Sequence, residues 1–226
     1  MNKKIHSVVN SKVRFKLKEI IPKVYHIEFS KQVDVTSSLL RFQEHYESPK
    51  FRGKIFSLDE YIAWYRTTRK KGRFTYFTDW SGYNFPSKVL KPFKDGRFGP
   101  LSLREKAILE SLDLKDNFYV IGTFKSGKKK DDFMIKKHEI AHALFYLDKN
   151  YRKSVLKVLE TVDKKPIFKF LKNAGYHPGV FLDEAHAFLL VDSKELKEDG
   201  IKLAPYRKTI KDLEKLFNQA IKESQS

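Results

Sequence analysis

Cysteine is missing from this 226-residue chain. Its absence excludes disulfide bonds and every metal site built on thiolate, so a bound metal would have only histidine and carboxylate to hold it. Long apolar runs are missing too, and no stretch approaches the ~18 residues that a membrane-spanning helix needs. The N-terminus is basic, but Val8 and Val9 run straight into Asn10-Ser11-Lys12, too short and polar for the apolar core of a signal peptide. A cytoplasmic location is the default expectation, with secretion by another route left open. Acidic residues are few, 28 against 46 lysines and arginines, for a net charge of +18. Such a surplus suits a nucleic acid, an anionic membrane surface or an acidic polypeptide. Arginine, the better reader of phosphate and guanine, supplies only 10 of those 46 cations, so a specific nucleic-acid role is not favoured. No internal repeat or low-complexity linker divides the chain, and its length suffices for a sizeable core.

Against that background one run names a chemistry: His138-Glu139-Ile140-Ala141-His142. A helix advances about 100° per residue, so His138 and His142 project from one face and can share one divalent ion. Glu139 lies just round that face, placed to take a proton from water rather than to bind the metal. Ile140, Ala141, Ala143, Leu144, Phe145 and Leu147 make the segment apolar nearly all round, as befits a buried helix. Two histidines and a glutamate buried there would be poorly satisfied without a partner. The alternative is a hydrogen-bonded pair of core histidines.

The rest of the chain reads as a succession of short elements. Val24 to Phe29 forms a strand, and residues from about Thr36 to Tyr46 follow a helical spacing ended by Ser48-Pro49. Ser57-Leu58-Asp59-Glu60 and Ser102-Leu103-Arg104-Glu105 are capping boxes that open helices. Between them lies an aromatic stretch from Phe74 to Pro86, whose first part suggests a strand and whose Ser81-Gly82 and Pro86 suggest loops. Asn117 to Phe124 is rich in strand formers. If it lay at a sheet edge, it could pair with an extended peptide beside the metal helix. The cluster Lys125 to Lys130 that follows is either a solvated turn or one end of a cleft that attracts acidic substrate. Further helices are expected over residues 151–161, over 166–173 with a stop at Gly175, and after Pro205.

The His138–His142 run resembles the HExxH signature of zincin metallopeptidases. Asp148 occupies the final place of the metzincin extension, but Phe145 stands where that group has glycine. Gluzincins draw a glutamate from a later helix, and Phe181-Leu182-Asp183-Glu184-Ala185-His186-Ala187-Phe188-Leu189-Leu190 is the matching segment. On its helical wheel Glu184 borders the buried side, Asp183 points away from it, and His186 borders the other flank. The resemblance therefore implies zinc held by His138, His142 and Glu184, with Asp148 and His186 as alternative third ligands. The long separation of the two segments is similar to lethal-factor-like gluzincins, including the bacterial Pro-Pro endopeptidases. The aspartate that thermolysin-like enzymes carry four residues after their glutamate is here Phe188.

The implied mechanism is hydrolysis by a metal-activated water with Glu139 as general base. His186, Tyr146, Tyr176, His177 and Tyr206 are candidate donors to the oxyanion, and His186 and Tyr146 are carried as catalytic residues. Asp183 or Asp148 would orient a metal-bound histidine. The expected fold is α+β, with a helix-rich zincin-like catalytic half at residues 110–226, a small sheet, and an N-terminal region at residues 1–109 of unassigned role, for which substrate recognition is one option. The leading function is a zinc endopeptidase acting on a polypeptide, in one version an acidic one. A basic nucleic-acid-binding protein with a structural histidine pair and a non-catalytic metal-binding protein are the alternatives.

Overall fold

The computed structural model describes residues 5–10 and 13–225. Three strands, β1 (Ile5–Asn10), β2 (Val13–Ile21) and β3 (Val24–Phe29), form an antiparallel meander. Helices α1 (Gln32–Glu47) and α2 (Leu58–Thr67), the single turn α3 (Tyr76–Asp79), strand β4 (Gly82–Pro86), the short α4 (Lys91–Lys94) and α5 (Leu103–Ser111) lead to β5 (Tyr119–Phe124). Six helices complete the chain: α6 (Lys129–Leu147), α7 (Lys149–Leu159), α8 (Lys165–Ala174), α9 (Phe181–Leu190), α10 (Ser193–Glu198) and α11 (Arg207–Glu223). The sheet order is β1-β2-β3-β5-β4, with β5 parallel to β3 and antiparallel to β4. This is the expected α+β architecture, rich in helix around one small mixed sheet. Among the described residues no helix is long and apolar enough to cross a membrane.

Patterning explains how the sheet divides two cores. In β2 the buried Val13, Phe15 and Leu17 alternate with the exposed Arg14 and Lys16, the period-2 signature of a strand with one covered face. A register shift between Glu19 and Ile21 then turns Ile21 to the opposite face, as a one-residue slip must. Val13, Phe15 and Leu17 join α1, α2 and α5 in one core, whereas Ile21 joins α6, α7, α9 and α11 in the other. Strand β5 is buried on both faces, with Val120 facing the first core and Tyr119 and Ile121 the second. Gly122 in β5 is a close-approach position, because a Cβ there would meet the Leu39 side chain of α1. The strands before and after residue 109 thus share one sheet.

Both capping boxes form reciprocally: Ser57 with Glu60, and Ser102 with Glu105. Helix α8 stops at Gly175, which takes the left-handed conformation at φ 95°. Two expectations need correction. The aromatic stretch is inverted: its first part makes the turn α3, and the strand is the Gly82–Pro86 segment that looked like punctuation. Proline is tolerated there because β4 is an edge strand, where an N–H can be spared. For the same reason β5 is not the edge that a peptide could extend, since β3 and β4 flank it. The edge nearest α6 is β4.

Candidate metal centre and its cleft

Helix α6 starts with Asp131 and Asp132 in its first turn, where carboxylates complement the helix dipole, and Asp132 Oδ1 accepts from Ser126 N at 2.8 Å. About two and three turns on, His138 and His142 come off one face toward α9, whose first turn carries Asp183 and Glu184. The two imidazoles present Nε2 to each other at 3.0 Å. Glu184 closes the group, with Oε1 3.7 Å from His142 Nε2 and Oε2 3.9 Å from His138 Nε2. One ligand atom from each of the three residues lies within 4.8 Å of the others, so the group could hold a metal ion. His142 and Glu184 are buried, and His138 keeps 13 % of its side chain exposed.

The far side of each ring decides what the near side can do. His138 Nδ1 meets Asp192 Oδ2 at 2.5 Å, and His142 Nδ1 lies 2.9 Å from Asp183 Oδ1, close but poorly aligned for a hydrogen bond. An ionised carboxylate only accepts, so the Asp192 bond holds a proton on His138 Nδ1 and the nearby Asp183 charge favours one on His142 Nδ1, with both Nε2 atoms turned inward. Two ring nitrogens at 3.0 Å beside a carboxylate need either a shared proton or a metal cation between them. Glu184 Oε2 is buried and has no hydrogen-bond partner, a costly state that a metal would relieve. Burial, together with Glu47, Asp183 and Glu139 nearby, pushes the Glu184 carboxyl well above its usual range, which marks the excess of negative charge gathered here. Burial alone would lower the His138 imidazolium, but Asp192 and Glu139 outweigh it and raise its pKa.

Glu139 projects next to this group and is 5 % exposed. Its Oε2 accepts from Asn84 Nδ2 at 2.8 Å, and Asn84 Oδ1 accepts in turn from the Tyr119 hydroxyl at 2.6 Å. A Cβ at Gly82 would collide with Glu139 Oε1, so the edge strand β4 leaves room for the carboxylate only because that residue is glycine. Burial raises the Glu139 pKa against the pull of His138 and His142.

His138, Glu139 and Glu184 open onto a cavity of about 180 Å³ that Tyr176 and Trp80 also line. The Tyr176 ring lies edge-on to Trp80 at 5.9 Å, and burial followed by the Glu184 charge raises its hydroxyl pKa well above the ordinary value, so it stays a neutral donor. Two further carboxylates, Glu44 and Glu47, line the same cavity. Glu44 accepts from Tyr76 at 2.6 Å, and burial pushes its pKa up to about 7. Glu47 accepts from Gln43 at 2.5 Å.

The other residues singled out from sequence lie elsewhere. His186 is fully buried, bonded to the Tyr151 hydroxyl at 2.8 Å and stacked on Phe145, with Nδ1 3.9 Å from Asp183 Oδ1. It backs Asp183 and does not line the cavity. Tyr146 packs against Tyr119 at 5.3 Å and beneath Lys88, also away from the cavity lining. Asp148 is the N-cap of α7, accepting from Asn150 and Tyr151 N, which explains its presence without a metal. His177 accepts from Gly179 N, and the Tyr206 hydroxyl donates to Asp163 O. Asp183, which the wheel turned away from the buried side, instead reaches His142. Asp192, Asn84 and Tyr119 were not found from sequence, since each meets its partner across a fold-dependent distance, 54 positions for Asp192 to His138, 55 for Asn84 to Glu139 and 35 for Tyr119 to Asn84; Glu47 reaches the site only through the cavity that the fold assembles. Compared with known proteins, the chain matches no family model, no curated protein and no solved structure.

Proposed function

We propose that this chain is a zinc-dependent endopeptidase. The observation that carries the reading is the pair of inward-turned imidazole nitrogens at 3.0 Å beside Glu184, whose buried Oε2 has no hydrogen-bond partner. Two nitrogens and one oxygen, with no thiolate available, make the donor set of a catalytic zinc site with three protein ligands. When bound there, zinc would lower the pKa of water toward neutrality and polarise a carbonyl oxygen.

The chain's own groups supply the rest. Asp183 and Asp192 keep the Nδ1 protons in place and the Nε2 atoms turned inward. Glu139 takes a proton from the attacking water and passes it to the leaving amine, a task favoured by the raised pKa of a buried carboxylate. The Tyr176 hydroxyl is the donor we assign to the developing oxyanion, an interaction of about 3 kcal/mol in comparable sites. Glu44 and Glu47 in the cavity wall argue against an acidic substrate segment there, so the surplus of lysine serves the outer surface. They argue equally against nucleic acid entering this cleft.

Metal analysis tests the reading. After exhaustive dialysis against trace zinc, the chain is expected to keep about one zinc, His138→Ala to lose it, and Glu139→Gln to keep it while losing hydrolysis of an unstructured polypeptide. Retained zinc with no hydrolysis in the unaltered protein would leave a metal-binding protein. Binding of DNA or RNA that falls with salt and ignores chelation would favour the nucleic-acid reading.

A further inference from the structure

The position of Glu139 is set by two independent constraints from strand β4. One is chemical: Glu139 Oε2 takes the Asn84 Nδ2 proton at 2.8 Å. The other is steric: a Cβ at Gly82 would overlap Glu139 Oε1 and lie 2.8 Å from its Cδ, so the carboxylate rests directly on the edge-strand backbone. Gly82 has no positive φ, and what its missing side chain provides is space rather than an unusual conformation.

The Asn84 amide is itself oriented. Its Oδ1 faces the Tyr119 hydroxyl at 2.6 Å, and a phenol that is buried and protonated donates, which leaves Nδ2 to face the carboxylate. Asn84 N donates to Gln43 Oε1 at 2.8 Å, so the residue is held at its backbone as well, and only 4 % of it is exposed. A side-chain amide is the right chemistry for this task. It donates to one carboxylate oxygen but cannot take up the proton that Glu139 carries, as a histidine or a second carboxylate would.

We infer that Asn84, fixed by Tyr119, is the positioning residue of the general base, and that Gly82 provides the space this base occupies. The inference rests on the peptidase reading of Glu139. It follows that losing the Asn84 amide frees the carboxylate to swing while the His138, His142 and Glu184 group is untouched.

The test uses the full-length, zinc-loaded chain with an unstructured polypeptide or its fluorogenic fragment as probe, measuring kcat, KM, zinc per chain and melting temperature. Asn84→Ala is expected to lower kcat about 10- to 100-fold with KM and zinc content unchanged, the range seen when partners that orient a site are removed. Tyr119→Phe should lower kcat by a smaller factor, since the amide is retained but free to flip. Gly82→Ala should lower kcat at unchanged zinc content by a steric route. A readout independent of turnover is the melting-temperature cycle of Asn84→Ala and Glu139→Gln, where the double variant should lose less than the sum of the singles. A kcat within twofold of the unaltered protein in Asn84→Ala overturns the inference and leaves the peptidase reading standing. So does a loss of rate that merely tracks lost zinc or lost folded protein, or a strictly additive cycle. An unaltered, zinc-loaded chain that hydrolyses nothing removes the peptidase reading, and the positioning role falls with it.

Discussion

Asp183 and Asp192 each meet the outer nitrogen of one inward-facing histidine, so their loss should weaken a bound metal without abolishing its site. Asp192→Ala is expected to reduce zinc affinity about 10- to 100-fold in a chelator competition, whereas His142→Ala should leave no measurable binding. Equal losses in the two variants would contradict that division between support and ligand. At this scale the sequence spoke clearly only where chemistry is local. The i,i+4 histidines and the glutamate between them can be read from five adjacent letters. Glu184 could be narrowed to by its place on a wheel. Asp192 carries no signal at all, because nothing about an aspartate after Val191 says that His138 Nδ1 lies 2.5 Å away.

The elements show a similar division. Helix starts are fixed by contacts within one turn, so both capping boxes were legible, yet their energetic weight depends on what surrounds them. Ser57 caps an exposed first turn, and Ser57→Ala should cost about 1 kcal/mol in urea unfolding. Glu105 closes its own box and also holds Arg41 through two bonds of 2.6 and 2.7 Å, in a pair where both side chains are nearly inaccessible. Glu105→Ala strands that guanidinium in the core, and the expected cost is about 3–5 kcal/mol. Similar costs for the two variants would show that the buried pair is not set as described. Strand β4 was hidden for a physical reason. Its glycine makes room for Glu139 and its proline spares an edge N–H, so both residues that seemed to interrupt structure are there because of neighbours distant in sequence.

Across the whole molecule, two buried groups give stability opposite pH dependences. Burial holds His26 neutral, lowering its pKa from 6.5 to about 3, while it raises Glu44 from 4.5 to about 7. Between pH 6.5 and 3 the unfolded chain takes up a proton at His26 that the fold refuses, so stability falls as pH drops. Between pH 7 and 4.5 the fold keeps a proton on Glu44 that the unfolded chain has released, so stability rises as pH drops. Each effect has a limiting slope of about 1.4 kcal/mol per pH unit, and they oppose each other between pH 4.5 and 6.5. Relative to the unaltered chain, His26→Gln should therefore gain stability on acidification through that window, and Glu44→Gln should lose it. Identical profiles in the two variants would remove this account of the interior.

The α+β class was legible from alternating strands and apolar helices, but the sheet order was not. Pairing β3 with β5 joins segments on either side of residue 109, and only the assembled sheet brings β4 beside α6. That assembly makes the centre, and anomalous diffraction at the zinc edge from crystals of the zinc-loaded chain tests it most directly. The account predicts one peak within about 2.2 Å of His138 Nε2, His142 Nε2 and a Glu184 carboxylate oxygen. No peak there, or a peak elsewhere with those three side chains turned apart, would contradict it.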